Sequence, residues 1–258
     1  MTKEEKIFIH SKHIKRTFVL LIIGWIAPIV SFLIKDENEQ LSLYCFIPTL
    51  IFLLIAIIID LRRRYILRKL FNVKLNIRKV YEMEKRRGKN NLYNLRWLLI
   101  ISFFDGDFQN AIICADEILS MTSKKKYVEC AIFYKVLSCF LTENTDTALF
   151  LIEKQKHYTK GKKRNVMLNR GYYDFIEAFI AEEYDEALDT IRQVLTRKNS
   201  NAQNIEKVLV NYLMRMAFLK IGDLNKAQNC TVEILVADKQ RNTYFSKNLH
   251  NTIYEIRH

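Results

Sequence analysis

The stretch GDFQNAIICADEIL at residues 106–119 introduces a pattern that returns three times further along the chain. The later copies are NTDTALFLIE (144–153), EYDEALDTIRQVL (183–195) and GDLNKAQNCTVEIL (222–235). Each copy follows a stretch rich in apolar residues, and the shared alanines are 37, 39 and 40 residues apart. A repeat of this length is typical of an array of helix–turn–helix units. The chain therefore predicts several consecutive helical hairpins.

Small and turn-forming residues recur at equivalent places in these copies. All four copies contain an alanine at the same place: Ala111, Ala148, Ala187 and Ala227. A side chain that ends at Cβ lets two helices approach closely. Gly106 and Gly222 suit the left-handed residue that ends a helix. Asp107 and Asp223 suit the cap of the helix that follows.

These stretches resemble the tetratricopeptide repeat, whose turn between helices reads Gly-Asp-Tyr-x-x-Ala. The resemblance covers about residues 91–237, with first helices that begin near Leu92, Val128, Arg170 and Ile205. It implies an all-α domain, a degenerate α-solenoid, over 91–258. It also implies that the two helices of each repeat cross at the shared alanine: Ala111, Ala148, Ala187 or Ala227. The tail 242–258 is predicted to be an amphipathic helix that caps the stack. The sequence departs from the family at the small position midway along the first helix, where it has Leu99, Val136, Phe175 and Arg215.

The resemblance also implies a concave groove lined by the first helix of each repeat. Placed on the family's frame, the groove residues are Tyr93, Arg96, Ile100, Phe133, Tyr172, Ile176, Tyr212 and Met216. A groove rich in aromatic residues suits an extended or helical peptide. The alternative is that several of these side chains pack against neighbouring helices.

Two charge-free apolar runs precede the repeats, at residues 17–34 and 41–59. At about 1.5 Å per residue, each is long enough to cross the roughly 30 Å hydrocarbon core of a bilayer. Two such runs in succession do not fit a signal peptide. They predict a transmembrane hairpin over 17–60, and the alternative is a hairpin buried in a soluble core. Neither run holds a charged residue of the kind that marks a transport path, so the hairpin is interpreted as an anchor.

Basic residues flank the outer ends of both apolar runs, and the six-residue connection 35–40 is acidic. Because Lys and Arg favour the cytoplasmic side, the tail 1–16 and the C-terminal region are both predicted to be cytoplasmic. Residues 60–90 carry twelve Lys or Arg against three acids, whereas residues 91–258 carry 23 against 20. The net charge of +13 therefore lies beside the membrane runs. This distribution argues against nucleic-acid binding.

Residues 61–90 are predicted to form a basic amphipathic helix next to the membrane. An apolar seam runs along one face of this helix: Ile66, Leu70, Val73, Ile77 and Val80. Three alternatives stay open for it. Residues 62–87 could lie on anionic lipid, pair with a second copy as a coiled coil in a homodimer, or pack on the repeat domain as its first helix.

The sequence has no phosphate-binding, dinucleotide-binding or hydrolase motif, and its five cysteines and five histidines show no metal-ligand spacing. We therefore expect no enzyme activity, cofactor or metal. The prediction is a scaffold that recruits a protein or peptide to the inner membrane of a bacterium, an origin indicated by the Lys-, Asn- and Ile-rich composition. One alternative is a membrane immunity or regulatory protein against a toxin or peptide. Another is an accessory subunit of a transport or secretion complex.

Overall fold

A computed structural model describes residues 54–55, 57–59, 61–62, 65–66, 69–71, 75–85, 91–159, 166–196 and 204–249. Every regular element in these ranges is a helix, so the prediction of an all-α chain is confirmed for them. The chain divides into two compact units, Met1–Lys69 and Leu70–His258. The repeats lie in the second unit.

The N-terminal tail 1–16 and the predicted membrane runs 17–34 and 41–59 lie outside the described residues, apart from 54–55 and 57–59. Those five residues are helical, and four of them expose aliphatic side chains: Leu54, Ile55, Ile57 and Ile58. Across the described ranges, none of the helices combines the length and the apolar character that a membrane crossing requires.

The basic segment that follows is not one uninterrupted helix, which corrects the prediction for 61–90. The helical residues 69–71 are separated from helix α1 (Ile77–Lys85) by a break at Leu75 and Asn76. Leu75 is buried with a φ of +51°. The Asn76 side-chain oxygen accepts a hydrogen bond from the Lys79 N–H at 3.1 Å. A short polar side chain that bonds the backbone in this way starts a new helix instead of continuing the old one.

Helix α1 packs on the next helix, α2 (Asn91–Asp105). Ile77 belongs to the same apolar core as Leu95 and Leu99 of α2. Arg78 and Asp105 form an ion pair of 2.8 Å between the two helices. Over α1, the basic segment therefore packs on the helical domain as a first helix, which is the third alternative predicted for it.

Helical hairpins make up most of the second unit. The first pairs α2 with α3 (Phe108–Met121), and the second pairs α4 (Lys125–Leu141) with α5 (Thr145–Thr159). The third pairs α6 (Val166–Ile180) with α7 (Tyr184–Thr196), and the fourth pairs α8 (Asn204–Ile221) with α9 (Leu224–Ala237). Each helix from α2 to α9 packs against the one that follows it. One buried apolar cluster runs through all four hairpins.

The four hairpins share one turn geometry. In each, one residue has a positive φ: 85° at Gly106, 60° at Glu143, 63° at Glu182 and 83° at Gly222. The next N–H bonds a carbonyl five residues back, as from Asp107 to Ser102 at 2.8 Å and from Asn144 to Cys139 at 2.9 Å. This is the Schellman ending of a helix. The prediction of left-handed glycines is confirmed, whereas Glu143 and Glu182 adopt this conformation at a cost of roughly 1–2 kcal/mol each.

The residues that start the second helices are also as the sequence predicts. The Asp107 carboxylate accepts from the Asn110 N–H at 3.1 Å, and the Asp223 carboxylate accepts from the Lys226 N–H at 3.0 Å. Four residues after each such start, the structure buries the shared alanine almost completely: Ala111, Ala148, Ala187 and Ala227. The close contact of α6 with α7 has a further cause, because a Cβ on Gly171 would lie 2.5 Å from the Val194 side chain.

After α9 the chain returns to the first hairpin. The expected helix at 242–258 has a described part of one turn, α10 (Tyr244–Lys247), and residues 250–258 lie outside the described ranges. Helix α10 packs on α8, α9 and α2. The fully buried Phe245 ring has its centroid 5.5 Å from that of Phe103 and 4.9 Å from that of Tyr212. One residue thus joins the first hairpin to the last.

The buried carboxylate of Asp238 holds the loop between α9 and α10 in place. Asp238 is 2% exposed. One of its oxygens accepts from the Thr243 N–H at 2.9 Å, the Thr243 hydroxyl at 2.8 Å and the Ser246 hydroxyl at 2.7 Å. The other oxygen accepts from the Asn242 N–H at 3.0 Å. Hydrogen bonds to a charged acceptor are among the strongest in proteins, so this group holds the loop that delivers Phe245.

Two glycine substitutions test this closure, because both glycines have a positive φ and only one touches α10. A Cβ on Gly106 would lie 2.6 Å from Cγ of Tyr244, whereas a Cβ on Gly222 would meet nothing within 4 Å. Both Gly106→Ala and Gly222→Ala should lose roughly 1–2 kcal/mol of unfolding free energy from backbone strain. Gly106→Ala should lose about 1–3 kcal/mol more, because the Tyr244 ring must move.

The measurement is urea unfolding of the full-length protein in detergent micelles, followed by circular dichroism. Equal losses for the two variants would contradict the seating of Tyr244 on the first hairpin.

Candidate functional site

A cavity of about 200 Å³ lies among the helices of the second unit. Helices α2, α4, α6, α7 and α8 contribute to its wall, together with one residue that precedes α1. The lining residues are Phe71, Phe104, Phe133, Tyr134, Asn169, Tyr172, Val194, Ile205, Glu206 and Leu209. Half of these are aromatic. A concave, mostly apolar site with a few polar groups is the usual form of a ligand pocket.

Edge-to-face aromatic contacts hold the wall of the cavity in place. The Phe133 ring lies 5.2 Å from the Tyr172 ring with an interplanar angle of 76°, which joins α4 to α6. Phe104 of α2 lies 6.2 Å from Tyr134 and 5.7 Å from Phe245. Such pairs contribute about 0.5–1.5 kcal/mol each beyond their buried area. The wall is therefore continuous with the aromatic cluster around the C-terminal turn.

Two polar side chains, Asn169 and Glu206, interrupt the apolar lining. Burial raises the pKa of Tyr134 and of Tyr172, and the Glu206 charge adds to the rise of both. Both phenols are therefore neutral at physiological pH. Glu206 lines the same cavity as these two tyrosines. One of its oxygens, Oε2, is closed off from solvent.

The described residues of the lining include no thiol, imidazole or amine, and their one carboxylate is Glu206. Its two phenols are held in the protonated form. Among the described residues, no cluster of three His, Cys, Asp or Glu side chains could hold a metal ion.

Two of the predicted groove residues, Phe133 and Tyr172, line this cavity. Two others are core residues, which corrects their assignment to an open groove: Ile100 is 3% exposed and Ile176 is fully buried. Both side chains belong to the apolar core, in agreement with the alternative prediction that they pack against neighbouring helices.

The remaining predicted groove residues lie elsewhere and are half-buried. Tyr212 packs on Phe245, and Tyr93 packs on Trp97 with ring centroids 6.4 Å apart. Met216 packs against the apolar core. Of the predicted groove residues, Phe133 and Tyr172 therefore share one cavity, whereas Tyr212 is covered by Phe245 of the C-terminal turn.

Arg96, the eighth of the predicted residues, lies beside Cys130 and Tyr134 of α4. Burial acts to lower the pKa of Arg96, but Cys130, Tyr134 and Tyr93 outweigh it and the pKa is raised. The guanidinium is therefore charged. Burial raises the pKa of the Cys130 thiol even though Arg96 opposes this. Cys130 is consequently a neutral thiol, without the depressed pKa of a reactive cysteine.

Sequence reasoning missed most of the cavity wall. Tyr134 directly follows the predicted groove residue Phe133, and Phe104 precedes Gly106 by two residues, but nothing local shows which way their rings point. Glu206 stands near the start of α8, where an acidic residue ordinarily interacts with the helix dipole. Only the packing of α8 against the rest of the domain shows that this carboxylate reaches the cavity.

No family model, curated protein or solved structure matches this chain.

Proposed function

We propose that this protein is a non-enzymatic adaptor, anchored in the inner membrane of a bacterium, that binds a protein or peptide partner in the cytoplasm. The aromatic cavity carries the proposal, because it is a concave, mostly apolar site of the kind that binds ligands, and its described lining includes no thiol, imidazole or amine. In this proposal the partner inserts a side chain into the cavity. Neighbouring helix surfaces contact the rest of the partner.

The domain that presents the cavity is proposed to be a tetratricopeptide-like α-solenoid. Support comes from the turn geometry that all four hairpins share and from the buried alanine that follows each turn. Such arrays serve widely as extended binding surfaces. The packing of α10 on α2 differs from an open array, because the last described turn contacts the first hairpin.

The anchor is proposed to be the hairpin of 17–34 and 41–59, with both termini in the cytoplasm. Support comes from the described residues between 54 and 65, which are helical and expose apolar side chains, in a part of the sequence that includes three consecutive arginines, 62–64. Ile58, Leu61 and Tyr65 are each at least 60% exposed. A stripe of this kind is unfavourable in water and favourable in lipid. The arginines would then face anionic headgroups.

Site-specific photo-crosslinking tests the adaptor proposal. p-Benzoylphenylalanine replaces Phe133, which lines the cavity, or Phe150, which is 62% exposed on α5 and does not line it. Irradiation of intact cells should give a discrete protein adduct at position 133 and not at 150. Adding Leu209→Trp, which fills the cavity, should reduce that adduct at least tenfold. Adducts at both positions, or none at 133, would contradict binding at the cavity.

Cysteine labelling tests the proposed topology. In a Cys45→Ser background, a membrane-impermeant maleimide should label Glu37→Cys in intact cells, because the acidic connection faces outward. The control Glu82→Cys, at an exposed position of α1, should be labelled only after permeabilisation. The reverse pattern would contradict the orientation, and recovery of the protein in the soluble fraction would contradict the anchor.

A further inference from the structure

We infer that Arg96 of α2 and Lys126 of α4 form a binding site for a carboxylate of the partner, next to the aromatic cavity. This inference rests on the proposed function and deepens it. The partner then carries an acidic group close to the side chain that enters the cavity. Three observations lead to the inference: a row of residues along α4, the lack of an acidic partner for either cation, and the neutral groups around Arg96.

A row of three residues along α4 fixes the place of the site. Lys126, Cys130 and Tyr134 are four residues apart within one helix, and side chains at this spacing lie on one face, about 5–6 Å from one another. Arg96 reaches the middle of this row from α2 and forms a hydrogen bond with the Cys130 side chain. Lys126 interacts electrostatically with the same thiol. Both cations are therefore neighbours of Cys130.

Neither cation has an acidic partner among the described residues. Lys125 forms an ion pair of 3.5 Å with Glu129, but no described carboxylate forms an ion pair with Lys126 or Arg96. The first turn of α4 contains no acidic residue. The described part of the chain thus leaves two positive charges near Cys130 without an opposite charge.

The groups that stabilise Arg96 are neutral. Its strongest favourable interactions are with Cys130, Tyr134 and then Tyr93. Burial raises the pKa of the Cys130 thiol and of the Tyr134 phenol, so both are uncharged at physiological pH. The Nε atom of Arg96 is closed off from solvent and has no hydrogen-bond partner in the described structure. A cation that has lost part of its water and meets only neutral groups is stabilised by an anion from outside.

An anionic group of a partner can reach both cations. Lys126 is exposed and Arg96 is half-buried. The planar guanidinium donates two parallel N–H bonds to the two oxygens of a carboxylate, and the ammonium adds a second positive charge. A phosphorylated side chain usually binds to a cluster of arginines, whereas Arg96 is the one arginine that contacts this row among the described residues. The composition of the site therefore favours a carboxylate.

The row also connects the carboxylate site to the cavity. Tyr134 lines the cavity and stands one helical turn after Cys130. One turn separates the side chains by about 5–6 Å, and consecutive Cα atoms of a peptide are about 3.8 Å apart. An acidic residue one or two positions from the inserted side chain therefore spans the distance.

Small carboxylates test the inference on the full-length protein in detergent micelles. One probe, N-acetyl-aspartate N-methylamide, has a side-chain carboxylate, and another, N-acetylalanine, has a C-terminal carboxylate. The neutral counterpart of the first is N-acetylasparagine N-methylamide. Binding is measured by saturation-transfer NMR on the acetyl methyl signal. At least one carboxylate should bind about tenfold more tightly than the neutral probe, and the tighter one shows which kind of carboxylate the partner uses.

Removal of each cation provides the second arm. Arg96→Gln should weaken the carboxylate about tenfold and leave the neutral probe unchanged. Lys126→Gln, at an exposed position, should weaken it about threefold. The matched control Lys125→Gln loses the same unit charge from the neighbouring residue, whose ammonium pairs with Glu129, and should change neither probe. Should Arg96→Gln fail to fold, the comparison of Lys126→Gln with Lys125→Gln decides.

Equal binding of carboxylate and neutral probes would overturn the inference. So would a carboxylate affinity that neither Arg96→Gln nor Lys126→Gln weakens more than Lys125→Gln does. Inorganic phosphate that binds more tightly than either carboxylate, in competition with them, would overturn the choice of a carboxylate.

The proposed function fails separately. If the Phe133 adduct forms in cells while the probes show no preference for charge, the partner binds at the cavity without an acidic contact and only this inference falls. If no adduct forms, the adaptor proposal itself fails.

Discussion

The left-handed residue at the tip of each hairpin is the constraint on which the domain depends. It lets one helix end and the next begin within two or three residues, since the following N–H returns to a carbonyl of the helix just completed. The second helix then starts at the same place after each turn, and its fourth residue is always a buried alanine. Two of the four turns use glycine, and the other two place an exposed glutamate in the same conformation.

The C-terminal turn, α10, packs against both the first and the last hairpin. Asp238 holds the loop after α9 through four hydrogen bonds, and the loop directs Phe245 into the rings of α2 and α8. Phe245 therefore fills the space between the aromatic rings of α2 and α8. What is left is the cavity beside Phe133 and Tyr172, where Glu206 provides the single acidic group among the described lining residues. The proposed binding site is thus a consequence of how the array closes.

Features that depend on neighbouring residues could be predicted from the sequence, and features that depend on distant ones could not. Gly106, Asp107 and Ala111 form a pattern within six residues, so the turn, the cap and the small buried residue could be predicted together. Glu143 carries no such signal, because its left-handed conformation is imposed by the hairpin around it. The cavity needs residues from Phe71 to Leu209, and no local pattern reports their meeting. The predicted groove failed at Ile100 and Ile176 for the same reason, since a family frame cannot show which helix covers them.

The closure of the helical array by Phe245 is tested most directly by a double-mutant cycle with Phe103, using Phe103→Leu, Phe245→Leu and the double variant. Their ring centroids lie 5.5 Å apart although the residues belong to the first and last parts of the domain. Urea unfolding of the full-length protein should give a coupling free energy of about 0.5–1.5 kcal/mol, because the second substitution removes a contact already lost. Losses that add without coupling would contradict the packing of the C-terminal turn on the first hairpin, and with it the closed interior that leaves the aromatic cavity.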